Sequence, residues 1–253
     1  MDYILYSFLA GMFTWILTII GSLAVFGLTK KNNRIISLLL GLGGGIMIAA
    51  SFFSLIIPAI DVINDLGKNT WLICAIGFCL GCVLIIIFDY FLTEKSNIKE
   101  EKRSGLLLVL SIILHNIPEG LAIGVAFGSV SRGLDSASLS SAALLSIGIG
   151  LQNLPEGAAI SIPLAATGMP KKKAFFIGAI SAIVEPISAV IGTVLVLLIR
   201  NILPYMLLIA AAIMIYVVID EIIPTSRKYH HKFTTIGFIV GFIIMMILDL
   251  SFS

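Results

Sequence analysis

Apolar residues along this chain neither alternate nor recur at a helical spacing. They run on for long stretches separated by short polar clusters. A helix needs about 20 such residues to cross the ~30 Å hydrocarbon layer, and within lipid only helices and closed barrels satisfy their own backbone polar groups. The breaks delimit eight stretches, at 3–28, 34–60, 69–92, 105–129, 139–166, 172–199, 203–224 and 233–252. The pattern predicts an all-α integral membrane protein of eight transmembrane helices, a single polytopic membrane domain over 1–253. The first stretch follows Asp2 rather than basic residues, so it reads as a span and not as a signal peptide.

Composition agrees and narrows the function classes. Of 253 residues, 59% are hydrophobic and 12% charged, against roughly 45–50% and about 25% in soluble proteins. The mean hydropathy is +1.12. A water-soluble enzyme is excluded, because the longest polar stretch, Thr93 to Ser104, is far below the ~50 residues of a small domain. A net charge of +2 without a clustered basic patch argues against a nucleic-acid partner. The partner is the lipid bilayer of the cell membrane. Cys74, Cys79 and Cys82 share one apolar run and read as small packing residues.

The charges orient the spans. On alternate sides of the eight stretches, Lys30, Lys31, Arg34, Lys95, Lys99, Lys102, Arg103, Lys171, Lys172, Lys173, Arg227, Lys228 and Lys232 make 13, against Lys68, Arg132 and Arg200, which make 3. Cytoplasmic loops retain the positive charge, so both termini are expected to be extracytoplasmic. His230 and His231 fall in the basic connection between spans 7 and 8, where they are expected to be solvated.

Two internal repeats stand out. His115-Asn-Ile-Pro-Glu-Gly recurs as Gln152-Asn-Leu-Pro-Glu-Gly, and Ser54-Leu-Ile-Ile-Pro58 resembles Asp220-Glu-Ile-Ile-Pro224. The second pair ends one helix at the outer face and another at the inner face. That arrangement predicts an inverted repeat of spans 1–3 and 6–8 around spans 4–5, common in transporters with midplane sites.

Ionisable residues inside spans are functional candidates by default. Glu119, Glu156 and Glu185 lie deep in spans 4, 5 and 6, whose only Lys or Arg are Lys172 and Lys173 at the start of span 6. Such carboxylates must hold protons, find a metal ion or face water. At about 100° per residue, His115, Asn116 and Glu119 project within about 100° of one another, and Gln152, Asn153 and Glu156 repeat that fan. Two facing fans offer a binuclear site with each Glu placed to bridge. Pro118, Pro155 and Pro186 withhold N–H groups, leaving the carbonyls of Leu114, Leu151 and Ala182 without their helical donors. Imidazole, carboxylate and amide ligands suit Zn²⁺ first, with Fe²⁺, Mn²⁺, Co²⁺ and Cd²⁺ as competitors.

At these motifs the chain resembles the ZIP family, the zinc-regulated and iron-regulated transporter-like proteins, in its prokaryotic branch. HNIPEG, QNLPEG, the Val-Glu-Pro of span 6 and residues 49–58 carry the resemblance. It implies a metal site on His115, Asn116, Glu119, Gln152, Asn153, Glu156 and Glu185, a thioether ligand from Met47, and an inner release path past Asp89 and Glu221. Asp220 stands where some relatives have His, Asn153 where some have Asp, and Glu94 to Arg103 lacks the His that many carry. The resemblance further implies a homodimer and an elevator-like motion of the site-bearing helices. The expected function is a secondary transporter of divalent transition-metal ions, with the ion as cargo and no catalytic cofactor, and not an enzyme. The alternative is an intramembrane metalloenzyme hydrolysing a lipid or peptide, for which the chain carries no HExxH-type signature.

Overall fold

The computed structural model describes residues 2–27, 33–91, 100–133, 138–166 and 168–252. Lys30, Lys31, Lys95 and Lys99 of the charge count lie outside them. The described residues form α1 (Asp2–Ser22), closed by a 3₁₀ turn at Leu23–Gly27, α2 (Asn33–Ala50), a π-helical turn at Ser51–Ile56, α3 (Ile57–Asp65), α4 (Thr70–Tyr90), α5 (Glu100–Ser131) and α6 (Leu139–Ala166). They continue with α7 (Lys171–Ser181), α8 (Val184–Val194), α9 (Val196–Val217), a second π-helical turn at Val218–Ile222, and α10 (Ile223–Phe252). Both π turns fall on the weaker repeat, ending two residues before Pro58 and Pro224, and helix continues through each proline where the repeat is expected to end one.

Six segments among the described residues are long and apolar enough to cross a membrane: Asp2–Gly27, Asn33–Asp65, Thr70–Tyr90, Gly105–Ser131, Lys171–Val194 and Val196–Ser251. α6 is not one of them. The last, with 56 residues, would be ~84 Å long if straight. It is broken at His230, whose backbone is extended (φ −166, ψ 103). The Ser37 hydroxyl lies 2.9 Å from the carbonyl of Ser226 and 2.7 Å from that of His230, which the break exposes. His231 is exposed as expected, whereas His230 is half-buried with its ring edge-on to Phe233.

Packing inverts the soluble pattern. The buried face of α1 is Ser7, Gly11, Thr14, Thr18, Gly21 and Ser22, and that of α4 is Ile73, Gly77, Gly81 and Ile85, while Leu5, Leu9, Trp71 and Leu84 point outward. Lipid is as apolar as leucine, so small residues that let backbones approach hold the helices together. Glycines mark the pairs. Gly21 and Gly157 join α1 to α6; Gly120, Gly124 and Gly128 join α5 to α8; Gly41, Gly45, Gly237 and Gly241 join α2 to α10; Gly77 and Gly81 join α4 to α9. Residue numbers rise together on both members of every pair, so all four pairs are parallel. α1, α5, α6, α7 and α8 pack as one bundle, and α2, α3, α4, α9 and α10 as a second that meets it along α5–α9 and α2–α6.

A Cβ at Gly124 would run into the backbone of Ala189 and Gly192, whereas one at Gly27 meets nothing. Gly124→Ala is therefore expected to cost about 1–3 kcal/mol through overpacking, although Ala normally favours a helix by roughly 0.5–1 kcal/mol. Thermal unfolding of the purified protein checks this, with Gly27→Ala as the neutral control.

Candidate metal centre

α5 and α6 run unbroken through Pro118 and Pro155 and bring the two repeated motifs face to face. His115 and Glu119, one turn apart, place Nε2 and Oε1 at 3.1 Å, and α6 supplies Glu156 Oε1 at 2.8 Å from the same nitrogen. Glu156 is aligned for a hydrogen bond with the ring, but Glu119 is not, and neither of its oxygens makes a hydrogen bond. One ligand atom from each of these three residues lies within 4.8 Å of the others. A tetrahedral ion with ligands at ~2.1 Å separates them by ~3.4 Å, so a small opening of the present contacts accommodates one.

Burial makes the charge problem acute. His115 is 1% exposed, Glu119 2%, Glu156 5% and Glu185 0%. The carboxylate contacts include those with His115 and Asn153, and none of the described ones is with a Lys or Arg. A buried charge without a cation is strongly destabilising, so the arrangement is suited to a divalent ion. Gln152 Oε1 is also buried and unpartnered, a carbonyl-type donor for such an ion.

The two fans are not used alike. Asn153 turns toward α8, where its Nδ2 donates to Glu185 Oε2 at 2.8 Å. Glu185 follows the α7–α8 break, and its N–H reaches the carbonyl of Ala182 at 3.0 Å. That carbonyl, expected to be left free by Pro186, is thus satisfied by a tighter turn. Asn116 is buried with Nδ2 unpartnered, and Met47 is buried on α2.

A cavity of about 400 Å³ has Glu119 and Gln152 at its floor and passes Ala122, Ala126, Leu145 and Gly148 to Asp61 and Asp249. The Ser54 hydroxyl donates to Asp249 Oδ2 at 2.7 Å. On the opposite side of the site, Leu40, Leu108, Pro163, Leu164 and Ile222 enclose only about 20 Å³, with Glu221 at their edge. Of the three inner-path candidates, Glu221 lines that small pocket; Asp89 accepts a hydrogen bond from Tyr216 at 3.0 Å, and Asp220 is exposed. Asp61, Asp249 and Ser54 were not among the sequence candidates. Asp249 had a signal, as an acid inside the apolar run of residues 236–250.

A sequence model of the ZIP zinc transporter family matches residues 92–249. The chain is 34% identical to the zinc transporter ZIP11 of Bos taurus, over 97% of this chain and 96% of that protein. It is 33% identical to the zinc transporter ZupT of Clostridium perfringens, over 100% and 98%. Against the zinc transporter ZIPB of Bordetella bronchiseptica it is 34% identical, over 96% and 80%.

Proposed function

The chain belongs to the ZIP family of zinc transporters, and from that membership we propose that it is a multi-pass cell-membrane permease carrying Zn²⁺ into the cytoplasm through the His115/Glu119/Glu156 centre. The observation that carries this is the convergence of one imidazole and two carboxylates, buried and, among the described residues, without a Lys or Arg partner, beside a wide cavity that Glu119 lines. Fe²⁺, Mn²⁺, Co²⁺ and Cd²⁺ are the competing cargoes. The hydrolase alternative is not supported, since the family and these relatives are transporters.

Gln152 and Asn116 complete the shell, and Met47 approaches it from the second bundle. Asp61 and Asp249 receive ions on the outer side, and Glu221 takes them at the small inner pocket, with Asp89 and Asp220 further along that path. The chain in this state is open outward.

Eight spans with both termini extracytoplasmic belong to the same reading, within one membrane domain. Parallel helices must be separated by an even number of membrane crossings, and the four pairs of parallel neighbours meet this condition under eight spans. Exchanging spans 1, 2 and 3 with 6, 7 and 8, and span 4 with 5, turns the α1–α6 pair into α8–α5 and the α2–α10 pair into α9–α4. The matched π turns obey the same exchange, which supports an inverted repeat. Glycine contacts with neighbouring backbone join helices of the same bundle, while Gly43, which faces across to α6, leaves more room against Ala159. This favours two rigid bodies that slide, with the site riding on the first. A homodimer follows from the resemblance alone.

Zinc flux into liposomes holding only the purified protein tests the function; vesicles that pass no zinc overturn it. For topology, Lys68→Cys should react with an impermeant thiol reagent in intact cells and Lys172→Cys only after permeabilisation, in a background lacking the native cysteines. The reverse labelling overturns the orientation.

A further inference from the structure

Building on the transport reading, we propose that the Asn153 amide stands in for a second cation opposite Glu185, so that the site takes one divalent ion at a time. Asn153 is fully buried, and its Nδ2 lies 2.8 Å from Glu185 Oε2 and 3.5 Å from the backbone carbonyl of Thr14 on α1. A backbone carbonyl only accepts, so the amide must turn its nitrogen to this pair; the flipped amide would set oxygen against oxygen. The nitrogen lone pair is delocalised into the amide and binds no metal. Glu185 Oε2 therefore already holds an N–H, which leaves the buried, unpartnered Oε1 as its free oxygen. The Asn153 Oδ1, buried and unpartnered, remains available to the first ion.

Charge balance points the same way. One divalent ion neutralises Glu119 and Glu156. A second would bring two positive charges to a buried place where Glu185 supplies one negative and where Asn153, with its N–H toward that carboxylate, supplies none. The two repeated motifs thus build an asymmetric centre: α5 and Glu156 hold the cargo, while Asn153 ties Glu185 to α6 and α1. Asp at position 153 removes the N–H and sets a second carboxylate against Glu185, a like-charge pair that demands a cation.

Equilibrium dialysis of the detergent-purified full chain against Zn²⁺, with the metal counted per protein, reads the difference directly. The wild type should bind one ion at this centre, Asn153→Asp two, and Glu185→Gln still one. A change in ion count is not what a merely structural role for Asn153 would produce. Two ions on the wild type, one on Asn153→Asp, or none on Glu185→Gln overturns the proposal. If Asn153→Asp does not fold, the other two counts decide it. A wild type that binds no ion and passes no zinc brings down the transport reading itself, and this proposal with it.

Discussion

Glu119→Gln and Glu156→Gln are each expected to lower zinc flux at least about 100-fold while the protein still inserts and pairs its helices. Gln keeps the size of the side chain and one carbonyl-type oxygen but removes the charge. Losing a hydrogen-bonding partner behind a metal ligand already costs 10–100-fold, and here the ligand itself is neutralised in a site from which water is nearly excluded. A 100-fold loss corresponds to about 2.7 kcal/mol. The folded state should not suffer, because neither Glu119 oxygen has a hydrogen-bond partner to lose and Gln at position 156 keeps an oxygen for the contact with His115. Flux in liposomes at matched protein content, with thermal unfolding alongside, checks both halves. Near-normal flux from the two variants would remove these residues from the path.

The second large effect is selectivity. Zn²⁺ and Cd²⁺ should pass, and Mg²⁺ and Ca²⁺ should be excluded by at least about 100-fold, because hard cations require six or more oxygen ligands or retained waters. The His115 nitrogen lies between the two carboxylates at 2.8 and 3.1 Å, so an ion seated there cannot avoid it. His115→Ala should therefore cost zinc flux about 100-fold. His115→Asp, which makes the set all-oxygen, should narrow the gap between zinc and the hard ions. A panel of metals competing for entry into liposomes measures the order. Equal passage of Ca²⁺ and Zn²⁺ through the wild type would contradict the centre as described.

The all-helical, membrane-embedded character and the identity of the polar residues at the centre were legible in the sequence. Both are local consequences: about 20 apolar residues match the bilayer thickness, and a charged residue among them is conspicuous by its cost. Helix breaks were less legible. The weak repeat marked helix ends at Pro58 and Pro224, where π turns lead into further helix instead, and the connection after span 6 was misplaced. A turn expected near Arg200 falls at Leu195, because α9 begins at Val196 and continues through Arg200 and Pro204. Arg200 had marked a boundary by its charge, yet a charge tolerated near the membrane surface need not end a helix.

Asp61 and Asp249 show why the cavity could not be read along the chain. They are 188 residues apart and line one cavity because α2, which leads into α3, lies parallel to α10 with glycines at the contact, an arrangement that also brings Ser54 to 2.7 Å from Asp249. The unequal use of the two repeated motifs was hidden for a related reason. Helical periodicity states the direction of a side chain about its own axis, and in that respect the two motifs are the same. What each direction faces depends on the neighbouring helix, and here α6 turns Asn153 to Glu185 of α8 and to Thr14 of α1, while its Glu156 meets His115 of α5. The sequence by itself determined which segments are apolar enough to cross the bilayer and which ionisable residues lie within them, because hydrocarbon thickness and the cost of buried charge act on each segment alone. The tertiary structure decided which carboxylates share the imidazole, which is tied by an amide, and which side of the site is open. Those are distances between helices, and they are set by where small residues allow two backbones to touch.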